Sequence, residues 1–197
     1  MVEIYPSYVK IPTSCKIVKL GNTTISSRRV LNAELDNLFE KKILFILMNP
    51  SKADNNISDK TINKCAHISY HDLKKLKIGY FSVVNVYPFY EAYSSKLQST
   101  LVAVQSASKS FYYKEIIKNL EVISLEIVKA DYIFLCTGGI PKEIIDINEY
   151  QFLINTIHSY VETNKGTVFL GKGDKNKDYL KKENILITFV RTVTPKP

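Results

Sequence analysis

The sequence predicts an α/β domain of three layers, helix on sheet on helix, with a mainly parallel central sheet. Three observations carry this expectation. Short apolar runs at 43–48, 80–84 and 132–136 read as buried strands. Between and after them, Ile116, Leu120, Ile123 and Ile127, then Tyr150, Leu153, Ile154, Ile157 and Val161, recur at helical spacing. Strands that alternate with helices imply parallel pairing, with helices on both faces. The 197 residues suffice for one sizeable core. No repeat, low-complexity tract or linker divides them, so 1–197 reads as a single domain.

The elements follow in order. Residues 1–25 read as extended segments with turns, and 30–40 as a short helix. The first core strand covers 43–48. A polar loop, 52–60, leads into a helix capped by Ser58 or Asp59 and reaching about Leu76. Strand 79–85 is next. Residues 86–110 are rich in aromatics and Ser and read as a long irregular connection, a kind that is often functional. The helix through Ile116 and Ile127 feeds strand 132–136, which breaks at Thr137-Gly138-Gly139. The helix 150–161 precedes strand 167–170, a basic turn, a short helix near 177–182 and a last strand, 185–190.

Apolar residues make up 45% of the chain and charged residues 23%, the composition of an ordinary globular protein. No apolar run is long enough to span a membrane, and the start of the sequence lacks the pattern of a signal peptide. Cys15, Cys65 and Cys136 are odd in number and far apart. They read as reduced thiols of a cytoplasmic protein, neither a disulfide framework nor a zinc site. The net charge of +8 comes almost entirely from Lys, in clusters at Lys41-Lys42, Lys74-Lys75-Lys77 and 172–182. Such a balance suits a polyanionic partner through counterion release, or simply a solvated face.

Several constellations invite chemistry. His67 and His71 stand one helical turn apart beside Asp72, a spacing that can hold a metal, but no third ligand is in place. His158 falls on a helix as a surface or boundary residue. Gly171-Lys172-Gly173-Asp174 follows a strand but lacks the spacing of a phosphate loop. Thr137-Gly138-Gly139 is either an anion-binding helix start or a tight turn. The strongest signal is Leu44-Phe45-Ile46-Leu47-Met48-Asn49-Pro50-Ser51, a buried strand that stops at an amide, a proline and a hydroxyl. A second strand stops at Asn85. Each Asn alone reads as a turn residue. Together they suggest one site at the carboxyl edge of the sheet, where open α/β folds place ligands. Tyr87 and Phe89 follow Asn85 and either stack a base or cap the core.

These residues carry a resemblance. Leu47-Met48-Asn49-Pro50-Ser51-Lys52-Ala53-Asp54, then Asp59-Lys60-Thr61-Ile62 and Cys65, then Val83-Val84-Asn85, resemble the signature of the domain of unknown function numbered 1643. Thr137-Gly138 falls where that family has Trp-Gly. The family in turn resembles the uracil-DNA glycosylase superfamily, and so implies that fold. In that superfamily a strand ends in Asp-Pro or Asn-Pro, whose side chain positions the attacking water. A second ends in an Asn that reads the uracil edge, and a later His-Pro-Ser supplies a His that stabilises the departing base. The resemblance gives the first role to Asn49, beside Pro50 and Ser51, and the second to Asn85. Thr194-Pro195 stands where His-Pro is expected, with no wedge segment after it. It thus implies a glycosylase-shaped pseudo-enzyme, with an active glycosylase using Asn49, and Ser51 or Thr194 in place of the His, as the alternative. Its expected partners are DNA, a nucleobase, or an acidic DNA-mimic inhibitor of uracil-DNA glycosylase of the kind found on mobile genetic elements. Contact is expected through Gly138, Lys172, Lys175, Arg191 and Lys196. The expectation is a monomer with no cofactor and no metal.

Overall fold

The computed structural model of the chain describes residues 3–91, 93–138, 146–163 and 167–170. Among these residues six strands form one sheet: β1 (Val9–Lys19), β2 (Ser26–Leu35), β3 (Lys41–Leu47), β4 (Ile78–Asn85), β5 (Tyr132–Cys136) and β6 (Thr167–Leu170). Their order across the sheet is β1-β2-β4-β3-β5-β6. Strand β3 pairs in parallel with β4 and β5, and β5 with β6. The two longest strands, β1 and β2, are antiparallel, and β2 joins β4 antiparallel as well. The sheet is therefore mixed, and the expectation of a mainly parallel one is corrected. The source of the error is 30–40, read above as a helix. It is the strand β2 and the turn that follows.

Both faces of β2 are covered, which explains the misreading. Leu31, Ala33 and Leu35 pack on one side, Val30 on the other, and all four are buried. A strand covered on both faces loses the alternation that marks strands.

Among the described residues four α-helices join the sheet: α1 (Lys60–His67), α2 (Leu97–Ala107), α3 (Lys109–Lys129) and α4 (Ile147–Glu162). Helix α1, with the π-helical turn Ile68–Asp72, lies on the face lined by Leu31, Ile43, Phe45, Phe81 and Val83. Helices α2, α3 and α4 cover the opposite face, against Leu44, Ile46, Val84, Ile133 and Leu135. Helix α2 was hidden in the segment read as irregular. Leu97, Leu101 and Val104, all buried, are its inward stripe. The amino edge is closely packed. A Cβ on Gly79 would stand 1.7 Å from the Phe39 carbonyl oxygen, so only glycine fits there.

Strand β3 has β4 on one side and β5 on the other. The connection to β4 runs through α1 on one face, and the connection from β4 to β5 runs through α2 and α3 on the other. The connection from β3 runs toward β4 and that from β5 runs through α4 toward β6, so the topological switch point lies at the carboxyl ends of β3 and β5, with the end of β4 beside it.

Candidate functional site

Asn49 and Asn85 stand at this carboxyl edge on neighbouring strands, Asn49 beside the switch point itself. Asn85 is the register partner of Leu47, two residues before Asn49. The pairing persists past the strands, with Val86 N–H donating to the Leu47 carbonyl and Tyr87 N–H to that of Met48, at 2.8 and 2.9 Å. Asn49 Nδ2 donates to the Glu91 carbonyl oxygen, and Glu91 N–H returns a bond to the Pro50 carbonyl at 2.9 Å. The Asn-Pro corner and the segment after β4 therefore hold each other.

Ser51 and the loop behind it are organised by Asp59, the N-cap of α1. Asp59 Oδ1 accepts from Thr61 N–H and Ile62 N–H at 2.9 and 3.0 Å. Its Oδ2 accepts from the Ser51 hydroxyl and from Ala53 N–H at 3.1 Å. One buried side chain caps the helix and fastens the loop after β3. Asp54 turns the same loop, its Oδ1 accepting from Asn56 N–H and Ile57 N–H, both at 2.9 Å. The spacing of Asn49-Pro50-Ser51, Ala53-Asp54 and Asp59-x-Thr61-Ile62 is thus a hydrogen-bonding pattern.

Asn85 is the anomaly. Its side chain is 0% exposed, and neither Oδ1 nor Nδ2 has a hydrogen-bond partner among the described residues. Strand alternation directs it to the face of Phe81 and Val83, toward α1. Its backbone is fixed from the other side, where Asn119 Nδ2 donates to the Asn85 carbonyl at 2.8 Å. Tyr87 and Phe89, both 0% exposed, belong to that other face, where Phe89 stacks on Tyr112 at 5.2 Å. The structure brings Asn49, Pro50, Ser51 and Asn85 to one edge and sets Tyr87 and Phe89 apart from them in the core.

A residue missed in the sequence completes this edge. Between the pairs Lys16–Val30 and Ile17–Arg28, one residue of β1 faces two of β2. This β-bulge at Arg29 puts Arg29 on the same side as Val30, where it pairs with Glu115 of α3. Arg28 is thereby turned to the α1 side, and its Nη1 donates to the Ala53 carbonyl at 2.8 Å. Bulges re-aim side chains in this way beside functional sites. Two adjacent arginines at the start of an apolar run were the available signal.

The other candidates fall elsewhere. Gly138 is exposed with φ +71°, which favours glycine, but α4 begins only at Ile147, capped by Asp146. His67 and His71 are in ring contact at 4.8 Å, and His71 touches Tyr8 and Tyr70 at the amino edge. Among the described residues no cluster of three or more His, Cys, Asp or Glu is suited to a metal. His158 is exposed on α4. Lys41 and Lys42 are engaged with Asp131 and Glu126, and Lys74, Lys75 and Lys77 lie at the amino edge. An open groove lined by Lys10, Glu34, Lys42 and Tyr80 is near that edge too. Thr194, Lys172, Lys175, Arg191 and Lys196 lie outside the described residues. No helix among the described residues is long and apolar enough to cross a membrane.

The family described as Protein of unknown function (DUF1643) matches residues 28–140, more than half of the chain. The chain belongs to this family. The DUF1643 match runs from Arg28 through both Asn-tipped strands to the turn after β5, so it encloses every described residue of the candidate site. No curated protein and no solved structure matches the chain.

Proposed function

We propose that this DUF1643 protein is a uracil-DNA glycosylase-like binding protein that reads a nucleobase at the tips of β3 and β4 and excises it poorly or not at all. Asn85 carries this reading. A carboxamide offers two donors and two acceptor lone pairs, and burying one with both ends unmade is costly. A nucleobase edge supplies the matching donor and acceptor, the bidentate pairing that Asn makes with bases. The Asn49-Pro50 corner stands beside it. The missing His supports the binding role. The chain's three histidines are His67, His71 and His158, and none of them stands at this edge. A donor aimed at charge developing on a leaving base contributes about 3–4 kcal/mol, roughly 100- to 1000-fold in rate. By the same logic an acidic DNA mimic is a partner for a chain of net charge +8.

An active glycosylase is the second reading. With Nδ2 of Asn49 committed to Glu91, its Oδ1 is free among the described residues to accept from a water.

The test is anisotropy of a labelled single-stranded oligonucleotide containing uracil, against the same strand with an abasic site, followed by an assay for released base. The expected outcome is preference for the base-containing strand without release, with Asn85→Ala weakening that preference about tenfold. An Asn85→Ala variant that discriminates as well as the native chain overturns the proposal. Rapid release that vanishes in Asn49→Ala establishes the second reading instead. Titration with a glycosylase-inhibitor protein tests the partner, and no complex at micromolar concentration removes it.

A further inference from the structure

Two arginines stand side by side at the start of β2, and the fold treats them differently. Arg29 Nε and Nη2 donate to the two carboxylate oxygens of Glu115 at 2.9 and 2.6 Å. The Ser27 hydroxyl donates to the same carboxylate at 2.7 Å. Arg28 is 1% exposed. Beyond its bond to Ala53, its Nε has no partner, and among the described residues no acidic side chain forms an ion pair with it.

The described surroundings give that charge no direct partner: Asp54, on the loop beside it, acts on the same Tyr5, Cys15 and Tyr90 but turns its Oδ1 to Asn56 and Ile57 N–H and makes no ion pair with Arg28. The Tyr90 ring lies 5.8 Å from the guanidinium. Burial raises the Tyr5 hydroxyl to about 12 and the Cys15 thiol to about 11, and pushes Tyr90 higher still. All three are neutral near pH 7. Asp59, the nearby acid of the α1 cap, spends both oxygens on Ser51, Ala53, Thr61 and Ile62. A guanidinium keeps its charge throughout the physiological range, and a buried charge without a counter-charge is costly.

We propose that Arg28 anchors a phosphate-binding pocket under the loop 51–57, at the same strand edge and on the same sheet face as Asn85. The Nε side of its planar fork is open, and that side grips two phosphate oxygens at once. The loop must move aside to admit the anion, because Ala53 covers Arg28. The identity of the phosphate's carrier, a nucleotide either free or within DNA, rests on the nucleobase reading above. The pocket itself does not.

Thermal unfolding of the full chain tests it, with inorganic phosphate, deoxyuridine monophosphate or a uracil-containing oligonucleotide, each against chloride at matched ionic strength. Inorganic phosphate is expected to raise the Tm of the native chain. Arg28→Met is expected to bind it about 10- to 100-fold more weakly. Arg28→Lys keeps the charge without the fork, serves if the Met variant does not fold, and is expected to lose about tenfold. A native chain that responds to inorganic phosphate but does not prefer the uracil strand over the abasic one keeps the pocket and loses the nucleobase reading, so failure of the two readings is distinguishable. Stronger stabilisation by the monophosphate than by phosphate identifies a free nucleotide, and stronger stabilisation by the oligonucleotide identifies DNA. Either supports the pocket. A phosphate response that is absent in the native chain, unchanged in both Arg28 variants, or equalled by acetate overturns it.

Discussion

Glu149, in the first turn of α4, shows how a single carboxyl group is placed against its own preference. Burial pushes it above the ordinary Glu value, with Asp146 adding to the effect, against hydrogen bonds from Tyr112 and Tyr87. The folded chain therefore holds this proton more tightly than the unfolded chain does. The native protein loses stability as pH rises past the ordinary value of 4.5. Glu149→Gln keeps an acceptor for Tyr112 without that penalty. Calorimetry is expected to give the variant an equal or higher Tm at pH 7, with the advantage shrinking to zero as pH falls below about 4. An advantage that does not change with pH contradicts the burial of a charged Glu149. The same principle, applied to Asn85 and Arg28, marks them as candidate ligand contacts: each is buried with hydrogen-bonding capacity that the described residues leave unused.

At the scale of elements, Asp59 joins α1 to the loop after β3. Replacing it with Asn turns one acceptor into a donor, which faces the Ser51 hydroxyl or a backbone N–H. We expect Asp59→Asn to lower unfolding stability by about 2–4 kcal/mol, and Ser51→Ala by only about 1 kcal/mol. Denaturant midpoints check both, and equal small losses show that cap and loop are not coupled through this residue. The elements also show what the sequence disclosed. Strands β3, β4 and β5 were legible because each is a short apolar run with a polar or Gly stop. Helices α1, α3 and α4 were legible from spacing and, for α1, from the Asp59 cap. Strand β2 was not, because cover on both faces erased its alternation. Helix α2 was not, because its Leu97–Leu101–Val104 stripe is embedded among Ser, Gln and Thr. Both Asn tips of the candidate site were found by position. Arg28 was missed because its direction depends on a bulge, and a bulge belongs to the pairing of two strands and to neither sequence alone.

At the scale of the whole molecule, one lysine cluster and the candidate site stand at opposite edges of the sheet. Lys74, Lys75 and Lys77 lie at the amino edge, while Asn49, Asn85 and Arg28 lie at the carboxyl edge. Binding of an oligonucleotide is expected to weaken steeply with added salt, given the net charge of +8. Simultaneous Lys74→Gln, Lys75→Gln and Lys77→Gln is nevertheless expected to leave uracil-oligonucleotide affinity within about twofold, read by anisotropy at fixed ionic strength. A larger loss places the DNA track at the wrong end of the sheet. The sheet also divides the arginines. One additional amino acid in a single ribbon reverses the in-and-out order from that point on, so it decides which of the two arginines faces the amides and which faces Glu115. Deleting Arg29 would restore the simple zigzag with Arg28 still on the amide-lined side, and would leave the carboxylate of Glu115 without its guanidinium.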